Sequence, residues 1–159
     1  MGAQLRSGLP AADEKTITTL GGKIAIKDNY AVDKTGGSVT ASSTETVIAQ
    51  VQIPANSTIS HLIIMAAVRF TDRSYSGVFK IKLGTAGTIA DTQIGNSCSL
   101  SLAGIITGPV VIGGSLLAIA IAPADYDKTV LNYVSITAQN STNSNNITST
   151  VDTLAVIGV

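Results

Sequence analysis

His61 and Cys98 are the only histidine and the only cysteine in the 159 residues, and tryptophan is absent. A base and a thiol nucleophile could be made from that pair, 37 positions apart, if folding brought them together. General-base catalysis also needs a carboxylate to orient the ring, and no motif supplies one. Each residue has an ordinary use instead: a histidine at the edge of an apolar run, and a small thiol that packs as a hydrophobe. No Cys or His cluster has zinc spacing. Neither Gly-x-Gly-x-x-Gly nor the Gly-Lys-Ser/Thr ending of a phosphate loop occurs. Asp125-x-Asp127, after Pro123, opens like a calcium loop but lacks the remaining ligands, including the bidentate glutamate. Asp and Pro make plain turns. These residues predict no catalytic group, no metal site and no cofactor.

Positive charge in the body of the chain gathers in one predicted hairpin, where Arg69, Arg73, Lys80 and Lys82 face a single anion, Asp72. Phosphate contacts use such groups. Single-strand binders also need several stacking aromatics, and Tyr75 is the sole candidate beside these cations. A solvated strand face or a subunit contact carrying Arg69, Arg73 and Tyr75 is expected, and no specific nucleic acid. Three sequons, at Asn56, Asn140 and Asn146, lie in Asn/Ser/Thr-rich sequence and are expected to stay unmodified.

The scaffold for such side chains is unusually apolar. Charged residues make up 13% of the chain, against about 25% in ordinary soluble domains. From Thr92 to Ala124, 33 residues pass without one charge. Residues 104–122 are long enough to span a membrane as a helix. Gly104, Gly108, Pro109, Gly113 and Gly114 break that helix, and Asp91, Asp125 and Asp127 flank it where cations are expected. Strands fit better, and no membrane partner is expected. Met1-Gly2-Ala3-Gln4-Leu5-Arg6 carries no signal-peptide core, and Arg6 stands where myristoylation needs Ser or Thr. The lone cysteine forms no intrachain disulfide. Formal charge is zero, which gives no field to steer the chain toward polyanions and favours self-association.

Residues 1–34 hold nine of the twenty charges and little apolar surface. They read as an extended N-terminal arm with at most a short strand at Lys23 to Ile26, joined through Thr35-Gly36-Gly37-Ser38 to a domain at 35–159. Arg6, Lys15, Lys23 and Lys27 are its candidate partner contacts. The body reads in period two. Thr46 to Ile53 puts Val47, Ala49, Val51 and Ile53 on one face. Leu62 to Val68 is apolar throughout, so both faces are expected to be covered. Val78 to Leu83 turns Phe79, Ile81 and Leu83 inward and Lys80 and Lys82 outward. Weaker strands are expected around 89–94, 98–106 and 109–112, and further ones at 116–122, 129–138 and 147–159. In 116–122, Leu117, Ile119 and Ile121 alternate with Ala118, Ala120 and Ala122; the alanine face is either an inner layer or a surface covered by another subunit. The sum is an all-β fold, an antiparallel β-sandwich with jelly-roll topology.

An arm, a sandwich with little chemistry and faces too apolar to leave wet together resemble the virion structural proteins of tailed phages and related viruses. The stretches Ile53-Pro54-Ala55-Asn56-Ser57-Thr58-Ile59 and Lys80-Ile81-Lys82-Leu83-Gly84-Thr85-Ala86-Gly87-Thr88-Ile89-Ala90-Asp91 are similar to a pattern of phage head and tail proteins, in which a strand ends in Gly-Thr-Ala and the chain loops away. The resemblance implies a non-enzymatic, capsid-associated or decoration subunit located in the virion, with itself and other virion proteins as partners, and it transfers no binding residue. The residues themselves point to a homo-oligomer, a trimer first. The alternative is a receptor- or glycan-binding head of a virion fibre, which the shortage of aromatic platforms disfavours.

Overall fold

Apolar residues recurring at every second position dictate the architecture. The computed structural model describes residues 15–19, 22–26, 28–31, 39–41, 44–70, 76–101, 111–121, 123–140 and 147–159. Among the described residues eleven strands run in chain order: β1 Lys15–Thr19, β2 Gly22–Ile26, β3 Asp28–Ala31, β4 Val39–Ala41, β5 Thr46–Ile53, β6 His61–Phe70, β7 Ser76–Gly84, β8 Thr92–Ser101, β9 Ile112–Ile121, β10 Asn132–Asn140 and β11 Ile147–Gly158. No helix among the described residues is long and apolar enough to cross a membrane. Much of the stretch weighed as a spanning helix is strand β9.

One sheet has the order β5-β10-β7-β8 and the other β3-β11-β6-β9, with β4 also paired to β11. Every pairing is antiparallel. The fold is an antiparallel β-sandwich. The core lies between the sheets, where Leu62, Ile64, Val68 and Phe70 of β6 meet Phe79, Ile81 and Leu83 of β7 and Val134 and Ile136 of β10, all at most 2% exposed. The Phe70 and Phe79 rings sit 4.5 Å apart, tilted by 31°.

Residues 15–31 hold three strands where one was expected. β1 and β2 form a hairpin. β3 pairs with Val156–Gly158 of β11, so the sheet extends into residues 28–31. β5 begins and ends as its pattern requires, but its register on β10 shifts between Ile136 and Thr137. That irregularity buries Ile48 and leaves Val47 half-exposed. The weak strands around 89–94 and 98–106 resolve into one, β8, which bends at Gly95 (φ 68°); Ile89 lies in the exposed loop before it. Residues 102–110, Thr71 to Tyr75 and Ala122 lie outside the described residues.

Between β7 and β8 the chain is held by Asp91. Its carboxylate accepts backbone N–H groups from Ala86 (3.2 Å), Gly87 (2.8 Å) and Thr88 (3.2 Å). A buried carboxylate with such donors needs no metal or cation to satisfy its oxygens. The Gly-Thr-Ala-Gly stretch singled out in the sequence is this closed loop.

Gly77 lies against the ring of Phe70, where an added Cβ would sit 2.2 Å from Cζ. Phe70 is 1% exposed and cannot yield. Gly77→Ala is expected to destabilise the sandwich by about 3 kcal/mol, the upper part of the usual overpacking range. Urea denaturation checks this: the midpoint should fall with the slope unchanged.

Candidate assembly surface

Strand β9 sorts its side chains against expectation by size. Leu116, Ala118 and Ala120 point into the core, each at most 3% exposed, whereas Leu117, Ile119 and Ile121 point out at 59%, 54% and 47%. The cause is the approach of β8. A Cβ on Gly95 would lie 2.9 Å from the Leu117 carbonyl oxygen and 3.0 Å from the Ala118 Cβ. Where backbones come that close, small side chains alone fit between them. The alanine face is therefore an inner layer, opposite the large core residues of β6 through the pairs Leu62↔Ala120 and Ile64↔Ala118. Because alternation leaves two choices, the large aliphatics of β9 must face outward.

They do not stand alone. Ile119 pairs across the sheet with Ile63, which pairs with Ile157 of β11; Leu117 pairs with Met65, which pairs with Ala155. Met65 is 43% exposed, and Ile63, Ala155 and Ile157 are half-buried. Within the single chain one face of residues 62–68 is core, and the other, with Ile63 half-buried and Met65 exposed, is only partly covered. Beyond this apolar band the face turns polar. Arg69 Nε donates to both carboxylate oxygens of Asp152, at 2.8 and 2.9 Å.

The basic hairpin does not form one patch. Arg69 lies on the outer face of the β6 sheet, while Lys80 and Lys82 lie on the outer face of the other sheet. There Glu45, which no sequence pattern singled out, pairs with both: Lys80 Nζ donates to Oε2 (3.0 Å), Lys82 Nζ is 3.6 Å from Oε1, and Thr137 Oγ1 donates to Oε1 (2.6 Å). Lys82 also donates to the Ile89 carbonyl. Ser135, buried beside this cluster, receives Gln50 Nε2. Of the other proposed contacts, Lys15 and Lys23 fall on β1 and β2. Arg6, Lys27, Asp72, Arg73 and Tyr75 lie outside the described residues.

The chemistry-bearing residues are held in structural contacts. Ser60 Oγ is 2.8 Å from the Val159 carbonyl oxygen and 2.9 Å from His61 Nδ1, a local contact at the end of β11. Cys98 is on β8, in the opposite sheet from His61. Burial pushes its thiol pKa up, against a lesser opposing contact from the Ser115 backbone, which disfavours the nucleophilic thiolate. Asp127 caps a turn, accepting the N–H and hydroxyl of Thr129, and these bonds lower its pKa. Asn56 accepts Thr58 in the same way, so its sequon is a turn. Asp91, Asp125, Tyr126 and Asp127 line a shallow groove of about 340 Å³. No three His, Cys, Asp or Glu side chains among the described residues are placed to hold a metal ion.

With that geometry in hand, comparison with known proteins adds little. No family model matches the chain, and no curated protein matches it. Among solved structures, the fold is similar to a chain in the structure of infectious bursal disease virus Gt strain, with a TM-score of 0.40 and 13% identity over 96% of this chain and 42% of that one. The chain spans less than half the length of that neighbour.

Two outcomes follow from this surface. Ala118→Leu is expected to cost about 1–3 kcal/mol by forcing β8 off β9, whereas Ile119→Thr should change stability by no more than about 0.5 kcal/mol in dilute solution; urea unfolding of both variants decides. For Glu45, burial raises the carboxyl pKa, but the Thr137 and Lys80 hydrogen bonds and the charges of Lys82 and Lys80 outweigh it and leave the pKa below the ordinary 4.5. A lowered folded pKa adds stability that is complete above the unfolded value and is lost as pH falls through the folded one. Glu45→Gln should therefore lower the melting temperature at about pH 7 and lose most of that effect near about pH 3, measured by thermal scans across that interval.

Proposed function

We propose that this chain is a non-enzymatic structural subunit of a virion, of the capsid-associated or decoration type, which works as a homo-oligomer. The observation that carries this reading is the band of large aliphatic side chains on the outside of a finished sandwich sheet. Contiguous apolar patches of this kind, rimmed by polar residues, often mark a contact surface. Strand order supports the reading. The eight strands β4 to β11 fall into β4-β11-β6-β9 and β5-β10-β7-β8, an order compatible with the jelly roll expected from the sequence, an architecture used by viral capsid and lectin domains. The resemblance of residues 53–59 and 80–91 to a pattern of phage head and tail proteins points the same way. His61, Ser60, Asp91 and Asp127 spend their polar atoms on the chain's own backbone and side chains, which supports a structural role over a catalytic one.

In this reading the N-terminal segment ahead of β3 is a connector to neighbouring virion proteins, with Arg6, Lys15 and Lys23 among its contacts. Deleting residues 1–26 keeps β3 on β11. The truncated protein is expected to melt within a few degrees of the full chain but to enter particles poorly. Thermal scans and quantitative immunoblots of purified particles check both halves. Unchanged incorporation would remove the connector role, and specific retention on a glycan array would favour a receptor-binding head instead.

A further inference from the structure

We propose that the outer face of β6, β9 and β11 is a self-association surface, and that its occupant is a second copy of this chain. The proposal rests on the reading of the chain as an oligomeric structural subunit and names the surface that reading needs.

Three observations select the occupant. The first is size. Three strands about 4.8 Å apart, each with outward positions every 6.8 Å or so, outline a band on the order of 300 Å². Stable interfaces take about 800 Å² from each partner, with an apolar centre inside a polar rim. The Ile63, Met65, Leu117, Ile119 and Ile157 band supplies such a centre, and exposed Ser115 and half-exposed Thr153 begin such a rim.

The second is charge. Among the described residues of these three strands the charged pair is Arg69 and Asp152, bonded to each other and only partly covered, with 35% and 42% of each side chain exposed. Because the two ions already satisfy each other, a second copy can lie on this face without burying an unpaired charge. Zero formal charge on the whole chain means that two copies do not repel. An anionic membrane would call for unpaired cations around the apolar band, and Arg69 is already held by Asp152.

The third is that the face cannot be hidden by the chain's own sheet. A shift of β9 by one residue would turn its aliphatics inward, but the close passage of β8 at Gly95 admits only small residues there. The aliphatic row therefore stays on the outside of the sheet, where a second copy can reach it.

Sedimentation and light scattering on the full-length protein at about 50 µM, where micromolar contacts are occupied, provide the test. Wild type is expected to sediment as a multiple of 16.2 kDa, and Ile119→Lys and Leu117→Gln each as single chains with melting temperatures close to wild type in dilute solution. Ile89→Lys, at an exposed aliphatic in the β7–β8 loop, should leave the mass unchanged. If Ile119→Lys fails to fold, Leu117→Gln decides alone. A wild-type protein that stays monomeric overturns the proposal. If that monomer still enters particles, the surface belongs to another virion protein and the structural-subunit reading survives. If it instead floats with phosphatidylcholine/phosphatidylglycerol vesicles, the occupant is a membrane and both readings fall. A wild-type oligomer that Ile119→Lys and Leu117→Gln leave intact shows that copies meet elsewhere, and it overturns this surface while leaving oligomerisation in place.

Discussion

The close passage of β8 over β9 constrains more of this molecule than any single bond. Gly95 takes a left-handed conformation there, and its missing side chain lets the two backbones approach at Leu117 and Ala118. That contact joins one sheet to the other along one side of the sandwich. It restricts the inner side chains at the centre of β9 to alanine, and strict alternation then exports the bulk of the strand to the outside. The same contact thus closes the core and opens an apolar face, two outcomes that hydrophobic burial alone would set against each other.

How much of this could be read from the chain depends on whether a residue's role is fixed by its own strand or by a distant one. β7 was legible because Phe79, Ile81 and Leu83 alternate cleanly with Lys80 and Lys82, and β11 because its apolar run is long. The inward or outward sense of β9 was not, since Ala118 and Ile119 are both acceptable core residues and Gly95 decides between them from another sheet. β6 was half legible: its unbroken apolar run matches a strand covered on both faces, and the chain itself buries one of them while leaving Met65 exposed and Ile63 half-buried. Arg69 and Lys80 look like neighbours across a hairpin, but the chain changes sheets between them. Glu45 carries no motif and matters only because the Thr137 and Lys80 pairing brings its partners together.

The polar inventory is small and locally committed. Asp91 closes a loop, Asp127 and Asn56 close turns, Lys128 reaches the Ile59 carbonyl (2.9 Å), and Ser60 fastens the end of β11. Each replaces lost hydration with a fixed partner, which a chain with so few charges needs wherever its loops leave the sheets. A chain organised in this way derives specificity from shape and from which apolar groups it leaves uncovered.

The position of β11 in the chain has a kinetic consequence. It is the last strand in sequence but an inner strand of its sheet, inserted between β6 and the short strands β3 and β4. Asp28 meets Gly158, and Leu62 meets the same glycine from the other side. Contacts of such sequence separation are slow to form, because the loop entropy is lost before the pairing energy is gained. Everything from β4 to β10 must leave the ribosome while that sheet still lacks its inner strand. The Ile119–Ile63–Ile157 row does not exist until β11 docks. A nascent chain therefore cannot present the finished face, and maturation of the core sets the earliest moment at which copies can recognise one another.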